Sequence, residues 1–113
     1  MSAAIVIPVR LASTRLPGKP LALLGELPLV SWVVRQCNRA KLATEVHVAA
    51  DSEEVAEALR GEACTVHQTD PAHQSGSDRV AEVAEKLQQD FIINVQGDEP
   101  FVSPSDIDAV IEA

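Results

Sequence analysis

Three cations, Arg10, Arg15 and Lys19, share the segment from Pro8 to Pro20 with Ser13, Thr14, Gly18 and a third proline, Pro17. Planar guanidinium forks and an ammonium point charge on a proline-stiffened loop suit the wrapping of phosphate oxygens. The segment matches neither common phosphate motif. It has no GxGxxG, and Gly18-Lys19 is followed by proline where a P-loop requires Ser or Thr. A solvated loop whose cations balance nearby acids accounts for the same residues. A second group, Asp98 and Glu99, follows the apolar run Phe91 to Val95. Magnesium typically takes only one or two protein carboxylates and completes its shell with phosphate and water. One aspartate facing a tricationic loop is therefore a sensible nucleotide site, although Gly97-Asp98-Glu99-Pro100 also reads as a plain turn. The third group is His73-Gln74-Ser75-Gly76-Ser77-Asp78-Arg79. Ser77 is a credible N-cap and Asp78 suits the positive end of a helix dipole. Capping leaves His73 to Gly76 unexplained, and their backbone and amide groups suit a nucleobase.

The elements that must position these groups follow a regular order. Ala3 to Pro8 is a continuous apolar run of the kind buried on both faces of a sheet. Leu29 to Ala40 has helical length, with Arg35, Arg39 and Lys41 toward its negative end. Glu45 to Ala50 reads as a second strand. Asp51-Ser52-Glu53-Glu54 opens a helix that Gly61 closes. Cys64 to Val66 is a short third strand, and Val80, Val83, Ala84 and Leu87 mark an amphipathic helix over Ser77 to Gln89. Phe91 to Val95 is the fourth strand, and a helix from Ser105 runs to the end of the chain. This β-α-β-α-β-α-β-α order predicts an α/β fold, a doubly wound, Rossmann-like and mainly parallel sheet. In such sheets ligands bind beyond the carboxyl ends of the strands. The basic loop and Gln96-Gly97-Asp98-Glu99-Pro100 both fall on that edge.

Composition sets the outer bounds. With 113 residues, 46% hydrophobic and 23% charged, the chain suits one globular domain that needs no disulfide or metal to hold its core. Cys37 and Cys64 have no CxxC spacing and no context that would lower a thiol pKa. No apolar run approaches the roughly 18 residues of a membrane span, and no signal peptide is legible, so a cytoplasmic protein is expected. The net charge of −8 argues against nucleic acid or an anionic membrane as partner. Residues 1–25 carry +3, whereas residues 26–113 hold six basic and seventeen acidic side chains. His47 sits in a strand pattern as a packed or edge residue, and His67 has no legible partner. Trp32 reads as a core or interface aromatic. No Ser-His-Asp order or metal-ligand cluster points to a hydrolase.

Three segments together resemble one family: Ile7 to Leu21 (IPVRLASTRLPGKPL), His73 to Arg79 (HQSGSDR) and Asn94 to Pro100 (NVQGDEP). Their order and spacing are similar to those of CMP-KDO synthetases, the 3-deoxy-manno-octulosonate cytidylyltransferases. The resemblance covers essentially the whole chain and implies a nucleotide-diphospho-sugar transferase type of fold. The implied reaction moves CMP from CTP to 3-deoxy-manno-octulosonate (KDO), releasing pyrophosphate, on the route to lipopolysaccharide. Carried over by position, Pro8, Arg10, Ser13, Arg15 and Lys19 would bind the triphosphate, with Arg10, Lys19 and Asp98 catalytic. Gln74, Ser75 and Gly76 would face cytosine, with Arg79 supporting that loop. Gln96 would approach the sugar, and Asp98 would bind Mg2+. Family members are about twice as long as this chain, so residues 1–113 are expected to be the N-terminal CTP-binding part. The absent C-terminal half would carry most of the sugar pocket, a second metal-binding aspartate and the main contacts of a homodimer. A sheet cut there would leave an edge open to association. Two other readings remain: a non-catalytic nucleotide-binding or self-associating module, and an acylneuraminate (sialic acid) cytidylyltransferase.

Overall fold

A computed structural model describes residues 3–11, 19–43, 45–70, 72, 76–89, 91–97 and 102–112. The apolar N-terminal run forms β1 (Ala3–Val9), every residue of which is buried. It lies inside a four-stranded sheet with β4 (Glu45–Ala50), β5 (Thr65–Gln68) and β6 (Phe91–Asn94), in the order β5-β4-β1-β6. All three pairings are parallel, with Ile5 facing Val46 on one side and Ile93 on the other. The first three long strands thus step outward in one direction, and the fourth returns to the other side of β1. The space beyond β1 and β6 is therefore the topological switch point, where a doubly wound sheet opens to ligands.

Alternation along the strands divides the core between two faces. Ile5, Ile7, Val9, Val46, Val48 and Ala50 pack with Val30, Val33 and Val34 of α1 (Leu29–Asn38). The same cluster takes Val55 of α2 (Glu53–Ala58) and Ile107 and Ile111 of α4 (Pro104–Glu112). On the opposite face, Val6 and Ala49 meet Val80 and Val83 of α3 (Gly76–Ala84). Helices on both faces make the sheet doubly wound, as its β-α alternation predicts.

Several local expectations are corrected. Ser77 lies inside the first turn of α3, which starts at Gly76, so it does not cap that helix. Helix α3 also ends at Ala84, short of Gln89. The expected opening of α2 is borne out: Ser52 is its cap, accepting from the Glu54 N–H at 3.0 Å, while Asp51 faces Leu11. An unforeseen hairpin, β2 (Leu23–Leu24) and β3 (Leu27–Pro28), precedes α1. Two-residue strands carry no periodicity for a sequence pattern to reveal. The Trp32 indole N–H donates to the Leu24 carbonyl at 2.7 Å, which ties this hairpin to α1. Arg35 serves less as a helix-end cation than as the bidentate partner of Glu62, at 3.0 and 3.1 Å. That ion pair holds its guanidinium above the ordinary value.

Candidate functional site

The switch point brings together pieces of all three sequence groups. Pro8 occupies the last turn of the pleat before β1 ends, on the face that α3 covers. Val6 accepts from the Val95 N–H on the β6 side at 3.2 Å, and Val9 accepts from the Asp51 N–H on the β4 side at 3.3 Å. By that alternation the backbone of Pro8 faces β6, which has already left the ladder at Asn94. A proline fits a central strand there because no partner awaits its missing N–H. A Cβ on Gly76 would lie 3.2 Å from the Pro8 ring and 4.0 Å from Gln96 Oε1. Pro8, the start of α3 and Gln96 therefore form one contiguous rim.

Gly97 closes the rim from below and was not foreseen as a site residue. A Cβ there would stand 2.9 Å from the Pro8 carbonyl oxygen and 3.1 Å from Val9 Cγ2. The chain leaving β6 can pass the end of β1 only because residue 97 has no side chain. Its place in a Gly-Asp-Glu-Pro turn was the available signal, but turn chemistry explained the glycine without any close approach.

The remaining predicted residues divide plainly. Arg10 is exposed at the first position after β1. The backbone of Lys19 opens a 3-10 turn, Lys19–Leu21. Gln96 is exposed, and its side-chain amide donates to Asn94 Oδ1 at 3.4 Å. Ser13, Arg15, Gln74, Ser75 and Asp98 lie outside the described residues. Arg79 is buried, 1% exposed, beneath the rim. Its guanidinium donates to the Thr69 hydroxyl and to the Asp70 carbonyl, the latter at 3.3 Å. Thr69 in turn donates through both its N–H and its hydroxyl to the Ala50 carbonyl, each at 2.8 Å. From α3, Glu82 accepts the Asp70 N–H at 3.0 Å. Arg79 and Glu82 thus hold Thr69 and Asp70, where the chain leaves β5. Polar residues that only hold backbone carry no periodic signature, so the roles of Thr69 and Glu82 were not legible in the sequence.

Away from this edge, His47 and His67 share a hydrogen bond, Nδ1 to Nε2 at 2.9 Å, and His47 Nε2 meets Glu45 Oε1 at 2.7 Å. Burial, His47 and Lys86 hold the His67 imidazole below its ordinary value. Burial pushes the Cys37 thiol up to about 12 and, with Glu62 assisting, the Cys64 thiol up to about 11, so neither is poised as a nucleophile. Among the described residues, no three His, Cys, Asp or Glu side chains converge as a metal site, and no helix is long and apolar enough to cross a membrane.

Comparison with known proteins places this geometry among relatives. The sequence profile of one family, described as cytidylyltransferase, matches residues 4–113. The 3-deoxy-manno-octulosonate cytidylyltransferase of Geobacter sulfurreducens is 45% identical over 111 residues, covering 98% of this chain and 44% of that protein. The protein of the same name from Marinobacter nauticus is 47% identical over 115 residues, covering 99% and 44%. A solved CMP:2-keto-3-deoxy-manno-octonic acid synthetase complexed with CTP superposes with a TM-score of 0.94 at 38% identity, covering 99% of this chain and 46% of that one. The chain thus spans under half the length of the relatives it matches.

Proposed function

The chain belongs to the cytidylyltransferase family, and on that premise we propose that it is the CTP-binding part of a cytoplasmic CMP-KDO synthetase. The observation that carries this reading is the meeting of Pro8, Gly76 and Gln96, one residue from each resembling segment, at the switch point of the sheet. The substrates are CTP and KDO, and the complete protein is a homodimer. In the 113-residue chain the outer side of β6, which pairs only with β1 among the described strands, is one edge open to association.

In this reading Arg10, Arg15 and Lys19, helped by Ser13, hold the triphosphate. Gln74, Ser75 and Gly76 face cytosine, and Arg79 keeps the approach to that segment in place. Gln96 meets the sugar acid. The anomeric hydroxyl of KDO bonds through its oxygen to the α-phosphorus and gives up its proton to water, as the bond from that phosphorus to the bridging oxygen breaks and pyrophosphate departs with the electron pair. Cations arranged in advance around the departing oxygens are worth far more than cations in water. Asp98 would hold Mg2+, which supplies further charge neutralisation at the phosphates when bound. A single carboxylate after β6 suits that ion, since phosphate and water complete its shell.

The complete protein is expected to release pyrophosphate only when Mg2+, CTP and KDO are all present, and no release under those conditions refutes the reading. Lys19→Ala or Asp98→Ala should each slow turnover by about 10²–10³-fold, the scale of losing one oxyanion donor. Offering a sialic acid in place of KDO tests the sugar directly. For the 113-residue chain, calorimetry should detect Mg-CTP binding even without turnover.

A further inference from the structure

The Asp51 carboxylate lies half-buried just past the carboxyl end of β4, one residue before the Ser52 cap of α2. Its Oδ1 accepts the Leu11 N–H at 3.1 Å, while its own N–H donates to the Val9 carbonyl at 3.3 Å. Those two hydrogen bonds straddle Arg10, the first cation of the loop. The regular β1–β4 ladder ends at Val9 opposite Ala50, because β4 turns away there into α2. The side chain of Asp51 supplies the acceptor that a continuing strand would have offered through its backbone. Arg10 is therefore presented from a backbone pinned on both sides, although its own side chain is exposed. A carboxylate beside a triphosphate site is unfavourable on charge alone, since it repels the ligand. Its retention here is explained by the position of its oxygen.

We infer that Asp51 is a positioning residue for the basic loop, and that it acts through the Leu11 N–H by aiming Arg10 at the phosphates. This rests on the proposed CTP reading and deepens it. A residue acting in this way should matter in proportion to the phosphates bound, and its geometry should matter more than its charge.

The test is calorimetric titration of the 113-residue chain and three variants with Mg-CTP and with CMP. Asp51→Ala should weaken CTP by about tenfold or more, the range for a hydrogen bond to a charged group, and change CMP far less. Asp51→Asn keeps an oxygen at the same place and should bind CTP at wild-type strength or tighter. Asp51→Glu keeps the charge but displaces the oxygen by a methylene, and should bind CTP more weakly than the Asn variant. The Asn and Glu pair carries the test by itself if the Ala variant does not fold. Wild-type CTP affinity in Asp51→Ala, equal losses for CTP and CMP, or an Asn variant weaker than the Glu variant would each overturn the inference. Absence of CTP binding by the unaltered chain would overturn the functional reading and this inference with it.

Discussion

Gly97→Ala is the most direct test of how the site is built. The added Cβ would sit 2.9 Å from the Pro8 carbonyl oxygen and 3.1 Å from Val9 Cγ2. Carbon–oxygen contacts settle near 3.3–3.6 Å, so the two chains must part by about half an ångström. The obstructing oxygen is backbone in the central strand and cannot rotate away. Overpacking of this kind costs about 1–3 kcal/mol, which in a domain of this size lowers the melting temperature by about 5–15 °C. The displacement falls between β1 and β6, so Mg-CTP affinity should fall with stability. Thermal unfolding followed by circular dichroism, and calorimetry well below the variant's transition, measure the two effects. Gly61→Ala is the control. Gly61 has φ +89° with open space around it, at the opposite end of the sheet, where α2 returns toward β5. A side chain there costs about 1–2 kcal/mol of backbone strain and should leave CTP binding untouched. If Gly97→Ala keeps both the wild-type melting temperature and the wild-type affinity, the close approach of β6 to β1 is wrong.

Three further outcomes are expected. Because burial, His47 and Lys86 hold His67 below its ordinary value, the folded chain binds fewer protons than the unfolded chain just below the ordinary value. Stability should therefore be fully present above about pH 6.5 and decline as pH falls from there toward the lowered value, and urea unfolding across pH 5–7.5 should show a flatter profile in His67→Gln. Cys37, fully buried with its thiol pushed up to about 12, should react with a thiol reagent at pH 8 only as fast as the chain unfolds, and faster labelling would disprove its burial. Arg79→Met should destabilise the chain by about 1–3 kcal/mol by leaving Asp70 and Thr69 without their buried donor, and an unchanged urea midpoint would count against that role.

How far sequence led depended on whether a feature repeats. The four long strands and their helices were legible because burial on a sheet imprints runs and periods over many residues. So was the shared edge on which Arg10 follows β1 and Gly97 follows β6, since β-α alternation dictates which strand ends lie together. The hairpin at Leu23–Pro28 was not legible, because two-residue strands have no period. The role of Asp51 was not legible for a different reason. Asp and Ser both cap helices, and only the position of β1 in space decides that Asp51 turns back to Leu11 while Ser52 caps. Gly97 was read as turn chemistry because a backbone contact with Pro8, nearly ninety residues earlier, leaves no local trace.

The two faces of the sheet bear unequally on the site. Helices α1, α2 and α4 share one broad apolar cluster with β1 and β4. On the other face α3 is held by Val6, Ala49, Val80 and Val83, with Leu87 and Ile92 at the rim. Yet the N-terminus of α3 carries Gly76 and follows the segment assigned to the base. Apolar packing is non-directional and tolerates sliding, whereas a hydrogen bond fixes distance and angle. Arg79 and Glu82 add that direction by clasping Thr69 and Asp70. Thr69 passes it to Ala50, whose neighbour Asp51 accepts from the Leu11 N–H. The start of α3 and the chain leaving β1 are thus referred to the same two residues, Ala50 and Asp51, where β4 ends. On the proposed CTP reading, β4, which contributes no predicted ligand contact, links the triphosphate side of the site to the base side.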